Sequence, residues 1–159
     1  MLLDFLSFAK SLIFCSIQYQ KVGSKNKLKR FKENETFANV VQPSREEVMA
    51  VFKYKGKWSS YIGIDIKGAR FWRGAKTALE KELNNVAFLR SQIELVDHLF
   101  GEGEVSEIWI TFPDPQIKYK RTKHRMTNPV FLERYKKILK PGGLIHLKTD
   151  SEYMHGYTL

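Results

Sequence analysis

YIGIDIKGARFWRGAKTALEKELNNVAFL, residues 61–89, is the stretch whose reading decides the fold. It opens on a short apolar run of strand type, YIGIDI, and passes directly into KGARFWRGAKTALEKEL, where Trp72, Ala75, Leu79 and Leu83 recur at helical spacing. VAFL (Val86 to Leu89) then reads as a second strand. A strand, a helix and a strand in this order form a crossover unit, because parallel neighbours cannot be joined by a tight turn.

The same alternation continues downstream. Ser91 with Glu94 has the spacing of a capping box, and Ile93, Val96, Leu99 and Phe100 fall on one helical face before GEGE ends the segment. EIWITF (Glu107 to Phe112) is a third strand. Asn128 as N-cap and Pro129 at the first helical position start VFLERYKKILK, whose core stripe is Phe131, Leu132, Tyr135, Ile138 and Leu139. Lys136, Lys137 and Lys140 suit the negative end of that helix, PGG (Pro141 to Gly143) stops it, and LIHLKT is a fourth strand. Upstream, Ser44 and Glu47 predict a capped short helix with Val48, Val51 and Phe52 inside. The fold class is α/β, a parallel sheet with helices on both faces. Ligands of such sheets sit at the carboxyl ends of the strands, where three acids lie: Asp65, Asp114 and Asp150.

Composition narrows the partners. The 159 residues suit one domain, with 43% apolar and 13% aromatic residues favouring a folded chain over a disordered one. Lysine and arginine number 27 against 17 acids, a net charge of +10, which makes nucleic acid the first candidate partner. Cys15 is the single cysteine, so no internal disulfide can form and a reducing, cytoplasmic setting is expected. His98, His124, His146 and His155 show no metal-ligand spacing, and no metal is expected. The first residues, MLLDFLSFAKSLIFCSIQYQK, carry Asp4 before any positive charge and Lys10 within the apolar run; they read as a loosely amphipathic leader rather than a signal peptide or membrane span. Lys21 to Lys32, with six basic residues and no acid, reads as a solvated arm.

The chemistry concentrates in TFPDPQIKYKRTKHRM, Thr111 to Met126. Prolines on both sides of Asp114 fix two backbone angles, so its carboxylate is presented rigidly at a strand terminus, ahead of Lys118, Lys120, Arg121, Lys123 and Arg125. Tyr119 and His124 interleave the cations, a mixture suited to phosphate contacts with a ring for stacking. A plain turn followed by a solvated loop is the competing reading. For Asp65 and Asp150 the alternatives are an ordinary helix cap or a ligand contact.

GIDIKGARFWRGAK, TFPDPQIKYKRTKHRMTNPVFLERYKKILKPGG and IHLKTDSE resemble the tRNA (guanine-N7)-methyltransferase family, from about Lys25 to Leu159. The resemblance implies a Rossmann-like fold, S-adenosylmethionine as methyl donor, and N7 of the guanine at position 46 of the tRNA variable loop as acceptor. It makes Asp114 the catalytic acid, also in contact with the cofactor, and places the cofactor's ribose on Asp65 and a further contact near Ser91. Lys118 and Asp150 would touch the tRNA, with Lys120, Arg121, Lys123, His124 and Arg125 along its backbone. Monomer and homodimer stay equally open, and no membrane partner is implied.

Two departures accompany the likeness. Family members carry a buried strand and a glycine-rich E-x-G-x-G turn ahead of GIDI, and GKWSSYIGIDI leaves no room for them. The strands at Tyr61 and Glu107 are then expected to have unpaired edges or to meet, and the cofactor to bind poorly. Two further strands that end the family's sheet are also missing after Leu159. The expected organisation is a leader of unknown role over 1–24 and a methyltransferase-like domain over 25–159, divided into a basic arm (25–43) and an incomplete α/β core (44–159). Three alternatives remain open: a catalytically inactive, truncated remnant that still binds RNA, a methyltransferase acting on exocyclic nitrogens, and attachment to a membrane through the leader.

Overall fold

A computed structural model describes residues 11–15 in their backbone, and residues 24–50 and 61–159. The expected helix positions Val51 and Phe52, the GKWSS junction and the rest of the leader lie outside the described residues. In chain order the elements are β1 (Ser11–Cys15), α1 (Ser24–Asn34), β2 (Val40–Val41), α2 (Arg45–Met49), β3 (Tyr61–Ile64) and α3 (Gly68–Glu80). They continue with β4 (Val86–Leu89), α4 (Val96–Leu99), β5 (Val105–Thr111), α5 (Pro129–Ile138), β6 (Leu139–Lys148) and α6 (Glu152–Thr158).

All pairings are parallel, and the strand order is β2-β4-β3-β1-β5-β6. Without the short edge strand β2, this is the doubly wound order in which the sheet reverses direction at its first strand. Here that strand is β1, with Ile13 level with Ile62 on one side and Ile108 on the other. The expectation that the strands at Tyr61 and Glu107 would be left unpaired or forced together is therefore corrected: part of the leader lies between them. The physical reason is the ladder itself, since a parallel strand bonded on both sides satisfies backbone groups that would otherwise be stranded.

Two apolar layers hold the sheet. On one face Ile62, Ile64, Leu89, Ile108 and Ile110 pack with Val48, Val96, Leu99, Phe131, Tyr135 and Ile138 from α2, α4 and α5. On the other, Phe71, Ala75 and Ala78 of α3 close over Phe88. Gly63 and Gly74 make room for that ring, since a Cβ on either would stand within 3.0 Å of it.

Four local expectations shift. The buried face of α3 is Gly68, Phe71, Ala75 and Ala78, while Leu79 and Leu83 are exposed, the helix ending before Leu83. Trp72 lies beside the core stripe and is engaged by α1: its Nε1–H donates to Glu33 at 2.6 Å, with Arg30 over its ring at 4.6 Å. The arm from Lys21 is thus no solvated coil where it is described, because α1 folds against α3, with buried Asn34 donating to the Gly68 carbonyl at 2.9 Å. Ser91 caps nothing with its side chain; a 3₁₀ turn over Ile93–Leu95 leads into the short α4. The capping box of Ser44 with Glu47 and the Asn128 N-cap are present as read, but α5 passes directly into β6 at Leu139, so PGG lies inside the strand and does not stop the helix.

Candidate active site

Three parallel strands deliver their carboxyl ends to one place. Asp65 follows β3, Ser91 follows β4 and Asp114 follows β5; all three line a cavity of about 260 Å³ with Ile66, Arg70, Gln92 and Ile93. Arg121, His124 and Gln116 close its other side. Lys118, Lys120, Lys123, Arg125 and Asp150 do not line it.

Asp65 is nearly buried, its side chain 7% exposed. The Lys67 backbone N–H donates to Oδ1 at 2.7 Å, and Arg70 Nη1 donates to Oδ2 at 3.4 Å. A carboxylate has about four lone-pair sites, so capacity remains for a ligand's hydroxyls. Arg70 is a residue the sequence reading passed over; its signal is the spacing, one helical turn into α3 from the strand-end acid. Ser91 is buried beside it.

Asp114 is exposed at the apex of its turn, and its Oδ1 accepts the Gln116 backbone N–H at 3.3 Å. The turn is unusual in its backbone. Phe112 and Gln116 bracket it with φ values of +48°, a region that non-glycine residues rarely occupy. The Phe112 N–H donates to the Lys148 carbonyl at 2.6 Å, which ties the turn's start to β6.

The basic stretch forms a 3₁₀ turn over Tyr119–His124. Tyr119 is 93% exposed, and Lys118, Lys120, Arg121 and Lys123 are exposed with it. His124 Nδ1 stands 3.7 Å from Glu94 Oε1, across the cavity mouth, and Glu94 is another lining residue that sequence reading had placed only as a cap. Arg125 differs from its neighbours in being buried. Asp150 is exposed just after β6, ahead of the Ser151 cap of α6.

Among the described residues no helix is long and apolar enough to cross a membrane, and no group of three or more His, Cys, Asp or Glu side chains could hold a metal ion.

A doubly wound sheet, with acids at the ends of β3 and β5 and a cavity at the point of reversal, defines a Rossmann-like fold of the methyltransferase type. The chain belongs to the family described as putative methyltransferases, whose model matches residues 47–158. It is 60% identical over 171 positions to the tRNA (guanine-N(7)-)-methyltransferase of Christiangramia forsetii, covering 87% of this chain and 76% of that protein. It is 41% identical over 167 positions to a protein of the same name from Bacteroides thetaiotaomicron, covering 84% of this chain and 66% of that one. A third, from Porphyromonas gingivalis, is 59% identical over 99 residues, or 62% of this chain and 40% of the relative. An aligned span of 171 positions exceeds the 159 residues here, so the first relative carries a stretch inside that span which this chain lacks. Shared naming among these relatives does not favour the inactive-remnant alternative.

Proposed function

We propose that the chain is a tRNA (guanine-N7-)-methyltransferase of the cytoplasm, using S-adenosylmethionine. The observation that carries the reading is the placement of Asp114: a carboxylate fixed between two prolines, lining a cavity shared with Asp65 and with exposed Arg121, from which the basic stretch continues.

The residues present suit the nucleoside half of such a donor. Asp65 keeps acceptor capacity for ribose hydroxyls, and Ile66 and Ile93 offer apolar walls to a flat ring. When bound, S-adenosylmethionine supplies an electrophilic methyl on a sulfonium sulfur, which leaves as a neutral thioether.

Guanine N7 has a free lone pair and no proton, so the transfer needs alignment more than a general base. Asp114 accepts hydrogen bonds from the guanine Watson–Crick edge and so orients the ring. The same negative charge favours the cation that develops on the purine as N7 is alkylated. Lys118, Lys120, Arg121 and Lys123 hold the polyanion, and exposed Tyr119 offers a face for a base drawn out of its stack. The test is incubation of this chain with methyl-labelled S-adenosylmethionine and an unmodified tRNA transcript. Appearance of 7-methylguanosine is expected; its absence, with the tRNA bound, contradicts the reading.

A further inference from the structure

Arg125 sits at the end of a basic run, and its sequence position groups it with the cations that face RNA. Its surroundings do not. The residue is 5% exposed, whereas Lys120, Arg121 and Lys123 are open to solvent. Its Nε–H donates to the Gln116 carbonyl at 3.2 Å and an Nη2–H to the Ile117 carbonyl at 3.3 Å. The guanidinium lies over two rings of α6, with Cζ 5.0 Å from the centroid of Tyr153 and 4.4 Å from that of Tyr157. Among the described residues no carboxylate pairs with it; two carbonyl dipoles and two aromatic faces accommodate the charge instead.

The two carbonyls belong to the segment that ends the Asp114 turn. Gln116 has φ +48°, and its N–H is the donor to Asp114 Oδ1. A left-handed glutamine persists only where its surroundings over-determine it. The fork does so by fixing the Gln116 and Ile117 carbonyls, one on either side of the Ile117 Cα. The fork is itself anchored: the Arg125 N–H donates to the Thr122 carbonyl at 3.0 Å, and the Asn128 N–H to the Arg125 carbonyl at 3.1 Å, at the cap of α5.

We propose that Arg125 is a positioning residue for Asp114, linking the acid's turn to α6, and not one of the phosphate contacts. This inference rests on the methyltransferase reading for its kinetic readout but not for its structural one. A lysine cannot replace the arginine, because a single ammonium does not reproduce two donors spaced in a plane.

The experiment compares Arg125→Gln and Arg125→Lys with Lys120→Gln in the full chain. It measures the slope of log affinity for tRNA against log salt, kcat and KM for methyl transfer, and backbone amide exchange over residues 116–118. For both Arg125 variants the salt slope should stay at the wild-type value, kcat should fall about tenfold or more with KM for tRNA little changed, and exchange at Gln116 should accelerate. Lys120→Gln should lose about one unit of slope and leave amide exchange at Gln116 at the wild-type rate. A lower slope with unaltered kcat in Arg125→Gln would overturn the proposal, as would full turnover in Arg125→Lys. If Arg125→Gln does not fold, Arg125→Lys supplies the decision. If the unsubstituted chain transfers no methyl group, the methyltransferase reading falls, and amide exchange alone decides for Arg125: unchanged protection refutes the role.

Discussion

Ile13 of β1 is the register partner of Ile62 of β3, which brings a segment from near the start of the chain into the middle of the parallel sheet. Relatives carry residues within the aligned span that this chain lacks, and β1 occupies the position that a missing first strand would leave open. A strand paired on both sides cannot lose its amide donors cheaply. Ile13→Pro is therefore expected to destabilise the fold by about 3 kcal/mol or more, read as a lower denaturation midpoint in urea. An unchanged midpoint would mean that β1 contributes nothing to the sheet.

Trp72 joins α3 to α1 through its bond to Glu33 and through Arg30 above its ring. Trp72→Phe keeps a ring face and removes the N–H donor, so a loss of about 1 kcal/mol is expected in equilibrium unfolding. A neutral result would show that the Trp72–Glu33 bond adds nothing to the hold of α1 on α3.

Asp65 is the acid placed to receive the cofactor's ribose. Asp65→Ala should weaken S-adenosylmethionine binding by roughly 10- to 100-fold, the range expected for lost hydrogen bonds to a charged group, while leaving tRNA affinity nearly unaltered. Isothermal titration with each ligand separates the two effects. Equal losses for both would point to a collapsed site.

The exposed cations give a salt signature. Joint neutralisation of Lys118, Lys120 and Lys123 should flatten the dependence of tRNA affinity on salt by about one unit for each contact removed. Retention of the wild-type slope would place the RNA elsewhere on the surface.

Much of this architecture is legible in the residues themselves. Strand-type runs at Tyr61, Val86 and Glu107, with the Asn128–Pro129 start of α5, are set by local pattern, and the placement of Asp65 and Asp114 at strand ends follows from them. What escapes is tertiary. SLIFC is a short apolar run inside an amphipathic leader, and nothing local says that it will pair with strands far downstream. The stripe of α3 is displaced from Leu79 to Phe71 and Ala78 because Phe88 selects which side is buried. A run of cations reads as a solvated face, and only the packing of Tyr153 and Tyr157 reveals that Arg125 points inward. Glu94 likewise reaches the cavity through a 3₁₀ turn whose geometry no spacing rule fixes.

The measurement that bears most directly on the account is single-turnover methyl transfer to tRNA by Asp114→Asn beside the unsubstituted chain. The amide keeps the shape of the turn and removes the negative charge that orients guanine and favours its developing cation. The rate should fall roughly 100-fold or more, with both ligands still bound. A rate equal to that of the unsubstituted chain would contradict the role assigned to Asp114.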